Sequence, residues 1–504
     1  MLTRWICIFF FIITATNALA ETRFSPRTLP EHIYDGGWTH YVGGGVAAFD
    51  CNQDNLAELY LAGGSNPAQL LINTTADKSL SFVAETPESL ALKQVIGAYP
   101  LDINSDGILD LVILRAGTDM IFRGLGNCQF APLDTHGFTA GDHWTTAFSA
   151  TWEVNQSLPT LAFGTYVDRT NPNGPFGTCD DTILYRPKGR SYAPALPLKP
   201  GFCALSMLFS DWNRNGHADL RISNDRHYYV KGGQEQLWNM GKNPTLYTKQ
   251  QGWREYQLWG MGIAARDLDQ DGFSDVYLTS MGDQRLQFFQ PESGEPHYVD
   301  APYRLGATAH RPYVGGDGRP STGWHSSIGD VNNDGFDDIF VSKGNVEQMP
   351  DAAMSDPNNL LLQQPDGTFR EQGHRAGIAS LERGRGAALI DLNLDGKLDL
   401  VVINRRAKAE LFENTSETGN WIQIDARQPA PNVFAIGGHI EVRAKGQNWV
   451  QELTIGGGHA SGQMTAAHFG LGTNNRAEVR VIWPDQSLSP WQEVSSNQRL
   501  VINK

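Results

Sequence analysis

The sequence predicts an all-β chain: a seven-bladed β-propeller followed by a small C-terminal β domain. Three observations carry that expectation. A nine-residue acidic pattern occurs six times, starting at Asp50, Asp102, Asp211, Asp267, Asp330 and Asp391. Copies run directly into β-like stretches such as Leu111-Val-Ile-Leu114, Ile339-Phe-Val-Ser342 and Leu400-Val-Val-Ile403. The starts recur about every 50 to 60 residues, a period that marks propellers and related arrays.

One interval, Asp102 to Asp211, is double length. Aligning Leu161-Ala-Phe163 with the other post-loop strands places a seventh unit there, with Trp152, Val154, Gln156 and Thr160 at the acidic positions. This unit keeps its strands and has no carboxylate at those positions. Small residues precede several loops, as in Gly43-Gly-Gly45, Gly260-Met-Gly262 and Gly384-Arg-Gly386. They are expected on the innermost strands, where large side chains would collide at the axis. Later in each unit comes an outer hairpin, as in Asp366-Gly-Thr-Phe369 after Asn359-Leu-Leu-Leu362, and Phe369 is expected in the core between blades.

The domains are therefore expected at 1–20 (a signal peptide), 21–418 (the propeller) and 419–504 (a small β domain). Arg4 gives the first segment a positive start, Trp5 to Ala15 an apolar core, and Ala18-Leu-Ala20 a small-x-small site before Glu21. Its apolar run is shorter than the roughly 20 residues a membrane span needs. The expected location is secreted or periplasmic, with cleavage after Ala20 and no membrane span.

The acidic spacing matches the needs of Ca²⁺, which takes six to eight oxygens in a flexible cage. Oxygens at positions one, three, five and nine, with a backbone carbonyl at seven, can supply them. The six expected ligand sets are Asp50, Asn52, Asp54, Leu56 and Glu58; Asp102, Asn104, Asp106, Ile108 and Asp110; Asp211, Asn213, Asn215, His217 and Asp219; Asp267, Asp269, Asp271, Phe273 and Asp275; Asp330, Asn332, Asp334, Phe336 and Asp338; and Asp391, Asn393, Asp395, Lys397 and Asp399. Leu56, Ile108, His217, Phe273, Phe336 and Lys397 would act through their carbonyls. Position six is Gly in five copies and Asn55 in the first, as a left-handed turn requires. An EF-hand needs a bidentate Glu at position twelve between helices; here that position holds Ile113, Leu278, Val341 and Val402, and the flanks are strands. About six Ca²⁺ are expected. The fourth loop, with only Asp211 and Asp219 charged, is expected to bind most weakly.

The Asp-rich units resemble FG-GAP (VCBS) repeats, the integrin-type calcium propeller units. The C-terminal stretch resembles the ASPIC/UnbV domain of the cartilage acidic protein-like family, through Trp421, Ile436-Gly-Gly-His-Ile-Glu-Val-Arg443, Ile455-Gly-Gly-Gly458, Ser461, His468-Phe-Gly-Leu-Gly472, Val479-Arg-Val-Ile-Trp-Pro-Asp485 and Asn497-Gln498. The resemblance implies a calcium propeller, export and no single reaction. One departure is Gly344-Asn345-Val346, where the family has Gly-His-Val.

Net charge is −15. The loop ligand positions alone hold eighteen carboxylates, so six Ca²⁺ would bring the protein without its leader to about −4, ordinary for a soluble domain. Nothing in the charge pattern points to nucleic acid. After the leader four cysteines remain, and the favoured pairs are Cys179 with Cys203 and, by default, Cys51 with Cys128. No catalytic residue is identified. The sequence has no nucleophile elbow, zinc-protease motif or phosphate loop. Gly456-Gly-Gly-His459 reads as a tight strand connection, His325 as a structural histidine near the channel, and Asn73, Asn155 and Asn414 as chance glycosylation tripeptides. The expected function is a monomeric binding module for an extracellular protein or glycan. An enzyme using the channel mouth, with His325 or Arg385, is the alternative.

Overall fold

In the computed structural model, residues 21–133, 137–171, 177–225 and 230–504 are described. The leader expected at 1–20 lies outside them. The chain is almost entirely β, and its strands fall into seven four-stranded antiparallel meanders. The first strands are Val46–Phe49, Val95–Leu101, Asp142–Thr151, Ala204–Ser210, Gly260–Arg266, Gly323–Gly329 and Arg383–Ile390. Each packs on the next, and the last packs on the first, so the ring closes. The seventh meander takes its outer strand from the start of the chain: Phe24–Arg27 pairs antiparallel with Glu410–Asn414.

The meanders do not form seven separate sheets. The second and third share one eight-stranded sheet, because Asp110–Thr118 runs on past its own unit and pairs with the start of Asp142–Thr151 through Asp142↔Thr118 and Trp144↔Ala116. The inner strands are buried on both faces, and apolar side chains of neighbouring meanders share common clusters. Phe369, for example, joins Leu268, Tyr277 and Leu286 of the neighbouring unit in one buried cluster.

Cys51–Cys128 and Cys179–Cys203 are disulfides, the favoured pairing. Cys51 lies in the first acidic loop, so its bond ties that loop to the second meander. Two of the three glycosylation tripeptides are structural. The buried Asn73 amide donates to the carbonyls of Ala57 and Leu392, and the buried Asn414 amide to those of Val331 and Leu398. Each thereby bridges two neighbouring acidic loops.

Residues from Asn420 onward form two small sheets around a core that includes Ile422, Val442, Phe469 and Trp483. Between the strands Gln447–Glu452 and Ala467–Gly472 the chain leaves this domain and enters the ring. Gly462–Met464 pairs in parallel with Val46–Phe49 as a fifth strand of the first sheet. Before it, Ile455, Gly456, Gly458 and Ser461 bridge to Ala150, Leu208, Ile263 and Ala98 on four other inner strands. The glycine run is therefore not a tight strand connection. It is a plug through the axis.

Candidate metal centres and the filled channel

All six acidic loops share one construction. Position one directly follows the first strand of its meander, and position nine opens the second strand. Residues Gln53, Ser105, Arg214, Gln270, Asn333 and Leu394 at position four all have left-handed φ, as do the residues at position six. The position-one carboxylate accepts the amide of position six, at 2.8 Å from Asn55, 2.9 Å from Gly107, 2.8 Å from Gly216, 3.1 Å from Gly272, 2.7 Å from Gly335 and 2.8 Å from Gly396. Position five accepts the amide of position seven in every loop. These bonds fold each loop back on itself, and in five loops they bring acidic side chains within electrostatic reach of one another.

The crowding has an electrostatic signature. Burial, then neighbouring carboxylates, push Asp267 up to about 8 and Glu58 up to about 8. Asp275, Asp338 and Asp399, at position nine, are held well above the usual carboxylate range by burial and like charge. Carboxylate oxygens of Asp267, Asp269 and Asp271 lie within 4.8 Å of one another. One Asp267 oxygen and the Asn213 side-chain oxygen are buried with no hydrogen-bond partner among the described residues. An oxygen-only donor set with unsatisfied buried oxygens fits a hard cation such as Ca²⁺. Glu58 also lies beside Cys51 and Cys128, but those sulfurs are bonded to each other and offer no thiolate.

The fourth loop differs. Elsewhere the position-nine carboxylate accepts the amide of position two, that of Cys51, Ile103, Leu268, Val331 or Leu392. Asp219 instead accepts the Trp212 indole N–H at 2.8 Å and the Tyr247 hydroxyl at 2.9 Å. With two carboxylates, one of them occupied by two extra donors, this loop is expected to fill last. A site-by-site calcium titration that fills it first contradicts the expectation.

The third meander has the same register at Trp152–Thr160, and Asn155 keeps the left-handed turn of position four. Its loop is held by side chains. Glu153 accepts from Thr160 at 2.7 Å and from Arg186 at 2.8 Å, and Arg186 donates on to the carbonyls of Met240, Gly241 and Lys242. A guanidinium thus supplies positive charge at the one loop whose ligand positions lack carboxylates.

The loops of the fourth to seventh meanders are joined in series. Arg214, Gln270 and Asn333, each at position four, donate to the position-six carbonyls of the following loops, Gly272, Gly335 and Gly396. The same face carries the C-terminal domain. Gln423 donates to Asp391 at 2.8 Å, Trp449 to the Gly335 carbonyl at 2.8 Å and Arg499 to the Asn55 carbonyl at 3.2 Å, while Arg214 pairs with Glu441 at 2.7 Å. The acidic loops are the seat of the chain's own second domain. Sequence patterns gave no sign of this, because each contact is between residues far apart in the chain.

The plug explains the small residues of the inner strands. A Cβ on Gly45 would lie 1.7 Å from the Ala460 carbonyl oxygen, and one on Gly97 2.0 Å from it. Gly457 and Gly458 donate to the carbonyls of Met207 and Ile263 at 2.7 and 2.6 Å. His459, fully buried, accepts the Gly43 amide at Nε2 and faces the Met261 carbonyl with Nδ1, which is therefore the protonated nitrogen. Its own amide donates to His325 Nδ1, and His325 Nε2 meets Ser327. Arg385 is equally engaged. It donates to the carbonyls of Tyr41, Gly384 and Val346 and stacks on Trp324 at 4.1 Å. His325 and Arg385 do not converge on an open channel.

Burial holds His325 down at about 4 and His459 at about 3. Below about pH 6.5 the unfolded chain binds protons on these rings that the folded chain refuses, so each subtracts about 1.4 kcal/mol per pH unit on acidification. Glu452, raised by burial to about 7, acts in the opposite sense and offsets part of this between its unfolded and folded values. At saturating calcium, the melting temperature is expected to fall from pH 6.5 to 5. A flat or rising profile contradicts that balance.

Residues 428–504 match the ASPIC and UnbV family, and residues 330–402 match the FG-GAP-like repeat. Cartilage acidic protein 1 of Mus musculus is 25% identical over 509 residues, covering 94% of this chain and 75% of that protein. The Homo sapiens protein of the same name is 23% identical over 530 residues, with 96% and 75% covered. Among solved structures, BBS1N in complex with ARL6DN is similar with a TM-score of 0.44 at 8% identity, covering 78% of this chain and 97% of that one. An Agrocybe aegerita lectin specific for non-reducing terminal N-acetylglucosamine gives 0.41 at 14% identity, covering 74% and 94%. The chain is a relative of cartilage acidic protein 1 that joins FG-GAP-like repeats to an ASPIC and UnbV segment.

Proposed function

We propose that this protein is an exported, calcium-stabilised interaction module, in which metal-filled loops hold the C-terminal domain on the propeller. The observation that carries the reading is the common construction of six loops: oxygen donors only, acidic side chains folded back by the same backbone hydrogen bonds, and in two of the loops a buried oxygen without a partner among the described residues. Two disulfides accord with an oxidising location, and no described helix is long and apolar enough to cross a membrane. Calcium here is architectural. Carboxylates committed to a cation are ionised and engaged, which makes them poor general acids.

The face bearing the loops carries the chain's own domain, so the module meets an extracellular protein or glycan on its remaining surfaces or at the seam between the two domains. A catalytic channel is not adopted, because the axis is filled by Gly456–Ser461 and its histidines are bonded to backbone and to each other. Equilibrium dialysis with metal analysis tests the reading. About six Ca²⁺ per chain are expected. A protein that retains none at millimolar calcium removes it.

A further inference from the structure

A cavity of about 540 Å³ lies between the loop face and the C-terminal domain, within the size range of small-molecule sites. His325, Ser326 and Gly458 line it near the axis, and Asn55, Arg427 and Phe434 line it between the first two loops. We propose that this cavity binds an acidic saccharide, with the sugar carboxylate on Arg427 and the ring hydroxyls inside. The inference deepens, and rests on, the reading of the chain as an interaction module.

Three side chains point to that chemistry. Arg427 lies flat over the Phe434 ring at 3.9 Å, and among the described residues its guanidinium makes no hydrogen bond. Its nearest carboxylate oxygen, on Asp425, is 3.8 Å away, and that carboxylate is engaged by Arg499 at 2.8 Å. A half-buried, stacked guanidinium with free donors presents the planar fork that carboxylates fit in bidentate fashion. At the other end, Ser326 is 2% exposed, and its hydroxyl has no partner among the described residues. The Gln451 side-chain oxygen, also on the lining, is buried and unpartnered. Unsatisfied hydroxyl and amide groups interleaved with aliphatic surface such as Leu389 match a pyranose, which offers hydroxyls at its rim and C–H groups on its faces.

Calorimetric titration of the full chain at saturating calcium tests this with trigalacturonate and its methyl ester, which differ only in the carboxylates. The acid is expected to bind, and the ester at least about tenfold more weakly, the worth of a charge-assisted pair. Arg427→Gln should bring the acid down to the level of the ester, and Arg427→Lys should restore part of the difference. Ser326→Ala should weaken both trimers alike, since it reads a hydroxyl. No binding of the acid, equal binding of acid and ester, or an unchanged Arg427→Gln protein would each overturn the proposal. Melting curves of the same samples with and without calcium separate the two readings. A calcium-stabilised protein that ignores the trimer loses only the saccharide site, and one that binds it without any calcium response loses only the metal.

Discussion

Chelating calcium is expected to lower the melting temperature by about 10 °C or more. The estimate follows from mass action: an ion that binds only the folded state at ten times its Kd stabilises it by about 1.4 kcal/mol per site. Six loops give about 8 kcal/mol, and a chain of this size loses on the order of 1–2 °C per kcal/mol. Two features raise the effect. The position-nine carboxylates Asp275, Asp338 and Asp399 are buried and repel their neighbours when no cation is present. The loops also seat the C-terminal domain through Gln423, Trp449 and Arg499, so loosening them undermines two bodies. Differential scanning calorimetry with and without chelator reads this directly. A shift under about 2 °C would sink the metal reading.

The second large effect is expected where ring and plug meet. Gly45→Ala and Gly97→Ala each drive a methyl group into the Ala460 carbonyl oxygen. The obstacle is backbone, pinned from both sides, so it cannot step aside as a flexible side chain would. Each substitution should cost about 3 kcal/mol, the upper end of overpacking penalties. Because both target one atom, the double variant should cost less than the sum. Gly37→Ala is the control: its Cβ meets nothing within 4 Å, and a change within about 0.5 kcal/mol is expected. Denaturant titration measures the cost, and limited proteolysis around residue 460 reports whether the plug has left. Wild-type stability for Gly45→Ala would mean that the axis is not tightly filled.

Much of the ring was legible because its signal is local and periodic. The acidic pattern places the end of each first strand and the start of each second one, and the double interval placed the third unit at Trp152, in the register the structure has. The favoured cysteine pairing is the one formed. What was not legible depends on contacts with no local trace. Asp110–Thr118 is longer than its counterparts and fuses two units into one sheet, but nothing in its composition says where it stops. The plug reads locally as a turn, because Gly456, Gly457 and Gly458 have the left-handed φ of any tight connection. Its partners lie on the backbones of residues 43 to 263, roughly 200 to 420 positions earlier. A usable hint did exist: glycines at 43–45, 97, 260, 262, 384 and 386 are more than a bare axis needs, and such an excess implies that something occupies the space.

The plug also sets an order of events. The strands it fastens are made early, yet Ile455 to Met464 emerge only after all seven meanders have been synthesised. At about 5–20 residues per second, the nascent ring waits tens of seconds with Gly45 and Gly97 facing an empty axis. The N-terminal strand Phe24–Arg27 waits almost as long for Glu410–Asn414. Completion of the ring therefore waits on a segment made after every meander, a keystone that arrives late in the order of synthesis.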